Sequence, residues 1–307
     1  MPEEKALPPT ITPRHDLELL QGAIDIHVHN GPDIYPRIQD HVELAQAAQQ
    51  AGFRGICLKC HNFPTVQLAI AAKREVLGFD VFSSLVCNHH VGGINPIAVE
   101  AAIKYGARQI FMPTVDAENH VRLANHVGQH GKGLMVKGGL SKYTTEAPRL
   151  SLINTQGALS REMLEIIDLI SDADVILNFG HTSFPEISAV AAAAKKRGVK
   201  RMIVDHPFWA KISTAEQQAL SENGIFINYT VGELLPRWWR VSVESFADGI
   251  RQVGVRKMII SSDCGQLHNP HQVEGMRMVC QLLVEEGFSF DDIKQMIQKN
   301  PSDLIYE

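Results

Sequence analysis

Two histidines separated by one residue, His27 and His29 in IDIHVHN, are the strongest chemical feature of the chain. Residues i and i+2 of a strand point to the same side, so both imidazoles are expected on one face. Neutral imidazole is a ligand for Zn, Mn, Fe or Ni near pH 7. A lone pair of this kind is also met as two hydrogen-bonded histidines at a strand end. It gains weight from Lys59 and His61 in LKCHN, His181 in LNFGHTS, His206 in VDHP and Asp263 in SSDCGQ, each of which closes an apolar run. If those ends converge, the imidazoles and the carboxylate supply enough nitrogen and oxygen ligands for a metal that keeps an open position.

The elements that would make them converge are short β-branched runs at 23–29, 55–61, 80–87, 109–116, 174–181, 201–207, 225–231 and 257–265. Between them lie Ala-, Leu- and Glu-rich helical stretches such as EISAVAAAAKKRGV, several of which stop at Gly. The alternation predicts an α/β fold, a single (β/α)8 TIM barrel spanning 1–307, with the polar residues at the C-terminal strand ends where barrels place their sites. No G-x-G-x-x-G follows the first run, which argues against a dinucleotide fold. Residues 1–21 read as a Pro-rich N-terminal arm. Residues 117–159 exceed what one helix needs and predict an inserted loop, hairpin or lid after the fourth strand.

Bulk properties narrow the partners. A net charge of −5 and a pI of 6.3 give no reason to expect nucleic acid. No run is long and apolar enough for a membrane span, and MPEEKALPPTITPRHD lacks the apolar stretch of a signal peptide. The five cysteines, an odd number without a dense framework, predict reduced thiols and a cytoplasmic setting. Cys57 and Cys60 spell CxxC, but strand alternation puts them on opposite faces. The expected partner is a small-molecule substrate, and a homo-oligomer is the default assembly.

The order HxH on the first run, His on the fifth, His on the sixth and Asp on the eighth resembles the amidohydrolase superfamily of metal-dependent hydrolases, over roughly residues 22–305. More narrowly, DIHVHNGPD, LKCHN, VGGINPIAVEAA, FMPTVDAENH and SSDCGQLHNPHQVEG are similar to an amidohydrolase-like subfamily without an established substrate. The resemblance implies His27, His29 and His181 as metal ligands and Asp263 as a ligand and proton acceptor. It implies His206 either as a second-metal ligand or as the group that stabilises the oxyanion. Binuclear relatives carry a bridging carboxylated Lys or a Glu on strand 4, whereas the fourth run here ends MPTVD and offers Thr114 and Asp116. Lys59 and His61 lie instead on the second run. Lys59 is read as an ammonium gripping a substrate carboxylate, as a carboxylated metal bridge, or as a rim lysine. One tightly held ion is favoured, zinc first with Mn, Fe or Ni as alternatives, and a second ion could use His61 and His206.

The implied reaction is hydrolysis of an amide, cyclic amide, lactone or ester of a small substrate, one version of which bears a carboxylate, through a metal-activated water. Asp263, His206 and Lys59 are the catalytic candidates. The alternatives are a metal-dependent decarboxylase of a small unsaturated or aromatic acid, and a non-catalytic metal- or ligand-binding barrel. Arg37, Asn95 and Thr114 are the candidates for substrate binding, Arg37 through a bidentate grip on a carboxylate. His89, His90, His268 and His271 fall in loops or at a helix start. Trp238 and Trp239 are expected to pack in the core, with a lid or a subunit interface as the alternative.

Overall fold

The structure, a computed structural model, describes residues 15–124 and 142–306. Most of the expected N-terminal arm, and residues 125–141 of the expected insert, lie outside the described residues. All strand pairs are parallel. β1 (Ile24–His29), β2 (Gly55–Lys59) and β3 (Asp80–Phe82) form one sheet. β4 (Ser84–Val86), β5 (Gln109–Phe111), β6 (Ile176–Asn178), β7 (Met202–Asp205), β8 (Phe226–Thr230) and β9 (Met258–Ser261) form the other, in chain order. Helices follow most strands. Their starts are written in the sequence as Asp40 with Glu43, Ser183 with Glu186 and Ser213 with Glu216, each a reciprocal cap.

The third expected strand, 80–87, is therefore two short strands in different sheets. The break at Ser83 has a chemical cause. Thr65 Oγ1 and Ser84 Oγ both donate to the Leu58 carbonyl, at 2.9 and 2.7 Å, and Ser84 N–H donates to Thr65 Oγ1 at 2.9 Å. Side-chain hydroxyls thus stand in for ladder bonds at this seam. At the other seam, Asp263 N–H donates to the His27 carbonyl and His29 N–H to the Cys264 carbonyl, both at 2.9 Å. Gly265 makes that approach practicable, because a Cβ there would collide with the His29 carbonyl.

Two apolar layers result. An inner cluster takes Ile24 and Ile26 from β1, Cys57 from β2, and Ile176, Ile203, Phe226 and Ile259 from later strands, with Leu304 and Ile305 of the last helix beneath them. A larger cluster lies between strands and helices and includes Val28 and Leu58. Strict alternation after Ile24 and Ile26 would put Val28 inside. A register shift between Asp25 and Val28 changes the parity, so Val28 packs outward and His27 and His29 turn inward.

In the described part of the expected insert, helices run at Glu118–Ala124 and Lys142–Thr145, and isolated bridges join Ala117 to Leu150 and Ile153 to Leu159. The five cysteines are buried and free. No helix among the described residues is long and apolar enough to cross a membrane.

Candidate metal centre

The strands end earlier than their sequence patterns suggest, so His61, His181, His206 and Asp263 sit just beyond them. β6 stops at Asn178 because the chain turns at Gly180 (φ 59°), where a Cβ would strike the Met112 and Pro113 carbonyls. His206 (φ 51°) and Asp263 (φ 48°) adopt left-handed backbone, uncommon outside glycine though His and Asp enter it more readily than most residues. Each such position costs about 1–3 kcal/mol, and such strain concentrates at functional sites.

His27 Nε2 and His29 Nε2 converge on Asp263 Oδ1, at 3.3 and 3.1 Å. Neighbouring ligands around a tetrahedral ion with bonds near 2.1 Å stand about 3.4 Å apart, so the spacing fits a small divalent metal. His27, Asp205 and His206 form a second such group, which shares His27. Lys59 Nζ lies 2.8 Å from His27 Nε2.

Four of these five histidines are hydrogen-bonded through Nδ1, and the fifth, His27, sets Nδ1 beside a carboxylate without a well-aligned hydrogen bond. His27 Nδ1 is 2.9 Å from Asp205 Oδ2. The others meet the Lys59 carbonyl (His29, 3.1 Å), Thr114 Oγ1 (His61, 2.8 Å), His120 Nδ1 (His181, 2.8 Å) and Thr230 Oγ1 (His206, 3.0 Å). For His29, whose Nδ1–H donates to a carbonyl, Nε2 is then the nitrogen offered to a metal, the arrangement in which outer partners orient ligands, whereas at His61 and His206 the hydroxyl partner can donate or accept and either ring nitrogen can carry the proton. Burial and the nearby Arg37 keep the His29 pKa well below the imidazole norm, and burial lowers His206 to about 4. Both rings are therefore neutral. Burial disfavours charge on Asp263, but His27 and His206 outweigh it and hold the carboxyl well below its usual range. Burial and Lys59 likewise oppose charge on His27, and Asp205 and Asp263 outweigh them, so its pKa is raised.

A pocket opens above this cluster. Lys59, His61, His181, His206 and Asp263 line it, as does a wall of Trp209, Trp238, Arg240 and Glu233. His61 and His181 belong to neither tight group; their ring centroids are 6.3 Å apart, and His181 is 5.3 Å from His206. Burial lowers the Lys59 pKa to about 8.

Three substrate-binding candidates have other employment. Arg37 is tied to Asp33 Oδ2 through Nε and Nη2 at 2.8 and 2.6 Å. Asn95 caps the helix Pro96–Tyr105 by accepting from the Ile97 and Ala98 N–H groups, and its amide donates to the Val91 carbonyl. Thr114 is buried and positions His61 while accepting from Asn88 Nδ2. The tryptophans also depart from expectation, since Trp239 is 69% exposed and Trp238 lines the pocket. The sequence reading missed Asp25, Asp205, His120, Trp209, Glu233 and Arg240. Asp25 and Asp205 could have been found as carboxylates inside otherwise apolar strands; Asp25 accepts from the His27 and Ser262 N–H groups and from Gln272, and Asp205 faces His27. Glu233 and Arg240 carry no such signal.

A family model described as a family of unknown function (DUF6282) matches residues 22–228. No curated protein matches the chain. Among solved structures, an amidohydrolase from Pseudomonas aeruginosa is similar at a TM-score of 0.62 and 12% identity, covering 95% of this chain and 99% of that one. A probable dipeptidase from the same organism gives 0.64 and 13%, with 94% and 96% covered. A probable 2-pyrone-4,6-dicarboxylic acid hydrolase from Acinetobacter baumannii, with citric acid bound, gives 0.57 and 12%, with 94% and 100% covered. At these identities the likeness establishes a fold shared with these proteins and no more.

Proposed function

This chain belongs to the DUF6282 family, and from that premise we propose that it is a metal-dependent hydrolase of a small amide, cyclic amide, lactone or ester, built on a closed (β/α)8 barrel. The observation that carries the reading is the convergence of His27 Nε2 and His29 Nε2 on Asp263 Oδ1, with His29, His61, His181 and His206 hydrogen-bonded through Nδ1. His27, His29 and Asp263 would hold one divalent ion, zinc first, with His61, His181 and His206 around it. A bound ion would supply Lewis acidity to a water and to the scissile carbonyl.

The rest falls to the protein's own side chains. Asp263, ionised at neutral pH, takes a proton from the attacking water and returns it to the leaving group. His206 is neutral, and with the Thr230 hydroxyl donating to Nδ1 its Nε2–H faces the developing oxyanion. Lys59 Nζ must leave His27 Nε2 when that nitrogen binds an ion, and the amine is then placed to meet substrate. The hydrolysed lactone dicarboxylate in the name of one structural relative fits this scheme as a class.

The test is a panel of esters, lactones and amides in ¹⁸O-water, with the protein chelated and then reloaded with zinc. The reading expects metal-restored turnover, one ¹⁸O in the product carboxylate, and loss of both with Asp263→Asn. Release of CO₂ without ¹⁸O incorporation would identify a decarboxylase and overturn it.

A further inference from the structure

The pocket has a second face that the hydrolytic scheme leaves unused. Trp209 and Trp238 are half-buried and line it. The Arg240 guanidinium lies 4.1 Å over the Trp209 ring, and Arg240 N–H donates to the Glu233 carbonyl at 2.8 Å. Glu233 is itself 3% exposed. Its Oε1 accepts the Trp209 N–H at 2.8 Å, whereas its Oε2 is buried without a hydrogen-bond partner among the described residues. Gly232 fits this wall to the histidine cluster. A Cβ there would lie 2.8 Å from the Trp238 ring and 2.9 Å from Asp263 Oδ2, so the missing side chain lets indole and carboxylate approach the same backbone.

These groups have complementary chemistry. A buried carboxyl oxygen without a partner is costly unless it carries a proton and finds an acceptor. Burial raises the Glu233 pKa to about 8, so the acid is neutral at pH 7 and has a hydrogen to donate. Indole faces bind flat, apolar rings, and a guanidinium stacked on one of them is preorganised for a carboxylate.

We propose that Trp209, Trp238, Arg240 and Glu233 form the recognition wall of the pocket and select a small planar substrate bearing a carboxylate. The ring lies against the indoles, and the carboxylate pairs with Arg240 and accepts a hydrogen bond from Glu233. The scissile bond then faces Asp263. This narrows the substrate class of the hydrolase reading and rests on it for the reaction.

The chain's three tryptophans are Trp209, Trp238 and Trp239. Replacing the exposed Trp239 by Phe therefore leaves emission only from the wall. Benzoate is the probe and cyclohexanecarboxylate the non-planar control, each titrated by tryptophan quenching with protein as purified and after zinc loading. Benzoate is expected to bind at least tenfold more tightly than the control. Arg240→Ala and Glu233→Ala should each weaken it tenfold or more, while Glu233→Gln, which keeps a donor, should cost less than threefold. Arg240 is exposed, so its variant also reads the wall if Glu233→Ala fails to fold. Equal binding of the two acids, no quenching by benzoate, or an unchanged Kd in Arg240→Ala would overturn the proposal. Binding without turnover would count against the hydrolase reading alone, and metal-dependent turnover without benzoate binding against the wall alone.

Discussion

The two ends of the strands treat their charged groups in opposite ways. At the N-terminal end, charges are used as staples. Arg201 pairs with Asp174 Oδ2 at 2.8 Å and donates to the Asp303 and Leu304 carbonyls at 3.1 Å, although its Nε lacks a partner among the described residues. Arg108 Nε donates to the Ile305 carbonyl, Asn300 Nδ2 to those of Val255 and Met258, and Tyr306 Oη to Asp80 Oδ2. Asp174, at φ 49°, ends a helix and accepts from Arg201 and Arg108, again as a staple. At the C-terminal end, His206 and Asp263 adopt left-handed backbone, imidazoles crowd a carboxylate, and Glu233 Oε2 is buried without a hydrogen-bond partner among the described residues. One end spends its polar groups on holding the last helix in place. The other keeps them poised, which is the division of labour expected of a barrel.

Substitutions can break that contrast. The largest effect is expected from Asp263→Asn, which should lower kcat/KM by about 10²–10⁴-fold. Asn is isosteric and tolerates left-handed backbone, so thermal denaturation should move by only a few degrees. Arg201→Ala should show the reverse, a loss of about 2–4 kcal/mol in denaturant unfolding with kcat/KM within twofold of the parent. Most of that loss comes from stranded carbonyls, because half-exposed Asp174 makes the ion pair itself a minor contributor.

A smaller effect is expected from pH. Burial raises Glu233 to about 8, so the acid loses its donor hydrogen as pH rises beyond that. Benzoate affinity should therefore fall above pH 8, and Glu233→Gln should remove most of that step. The smallest is Trp239→Ala, a 69% exposed side chain, which should change stability by less than about 0.5 kcal/mol.

Much of this was legible in the sequence. The βα rhythm predicts parallel strands, and His27, His29, His61, His181, His206 and Asp263 close runs that the structure brings to one pocket or its floor. Three things were not legible, each for a physical reason. The shift that turns His27 inward follows from pairing with β2, whereas β1 alone reads as simple alternation. The break at Ser83 depends on Thr65, distant in sequence, taking the Leu58 carbonyl. Glu233 and Arg240 follow β8 in a segment without periodicity, and their meaning comes only from what folds against them. Arg37 and Asn95 show the converse, since residue types suited to binding are engaged by a neighbouring Asp and a helix start.

The central claim is that His27, His29 and Asp263 hold a divalent ion. Anomalous diffraction above and below the zinc edge, on crystals of protein as purified and of zinc-loaded protein, tests it most directly. The account predicts a peak between His27 Nε2, His29 Nε2 and the Asp263 carboxylate that vanishes in His29→Ala. Zinc-loaded crystals with no peak there, or with a peak elsewhere that survives His29→Ala, would contradict it.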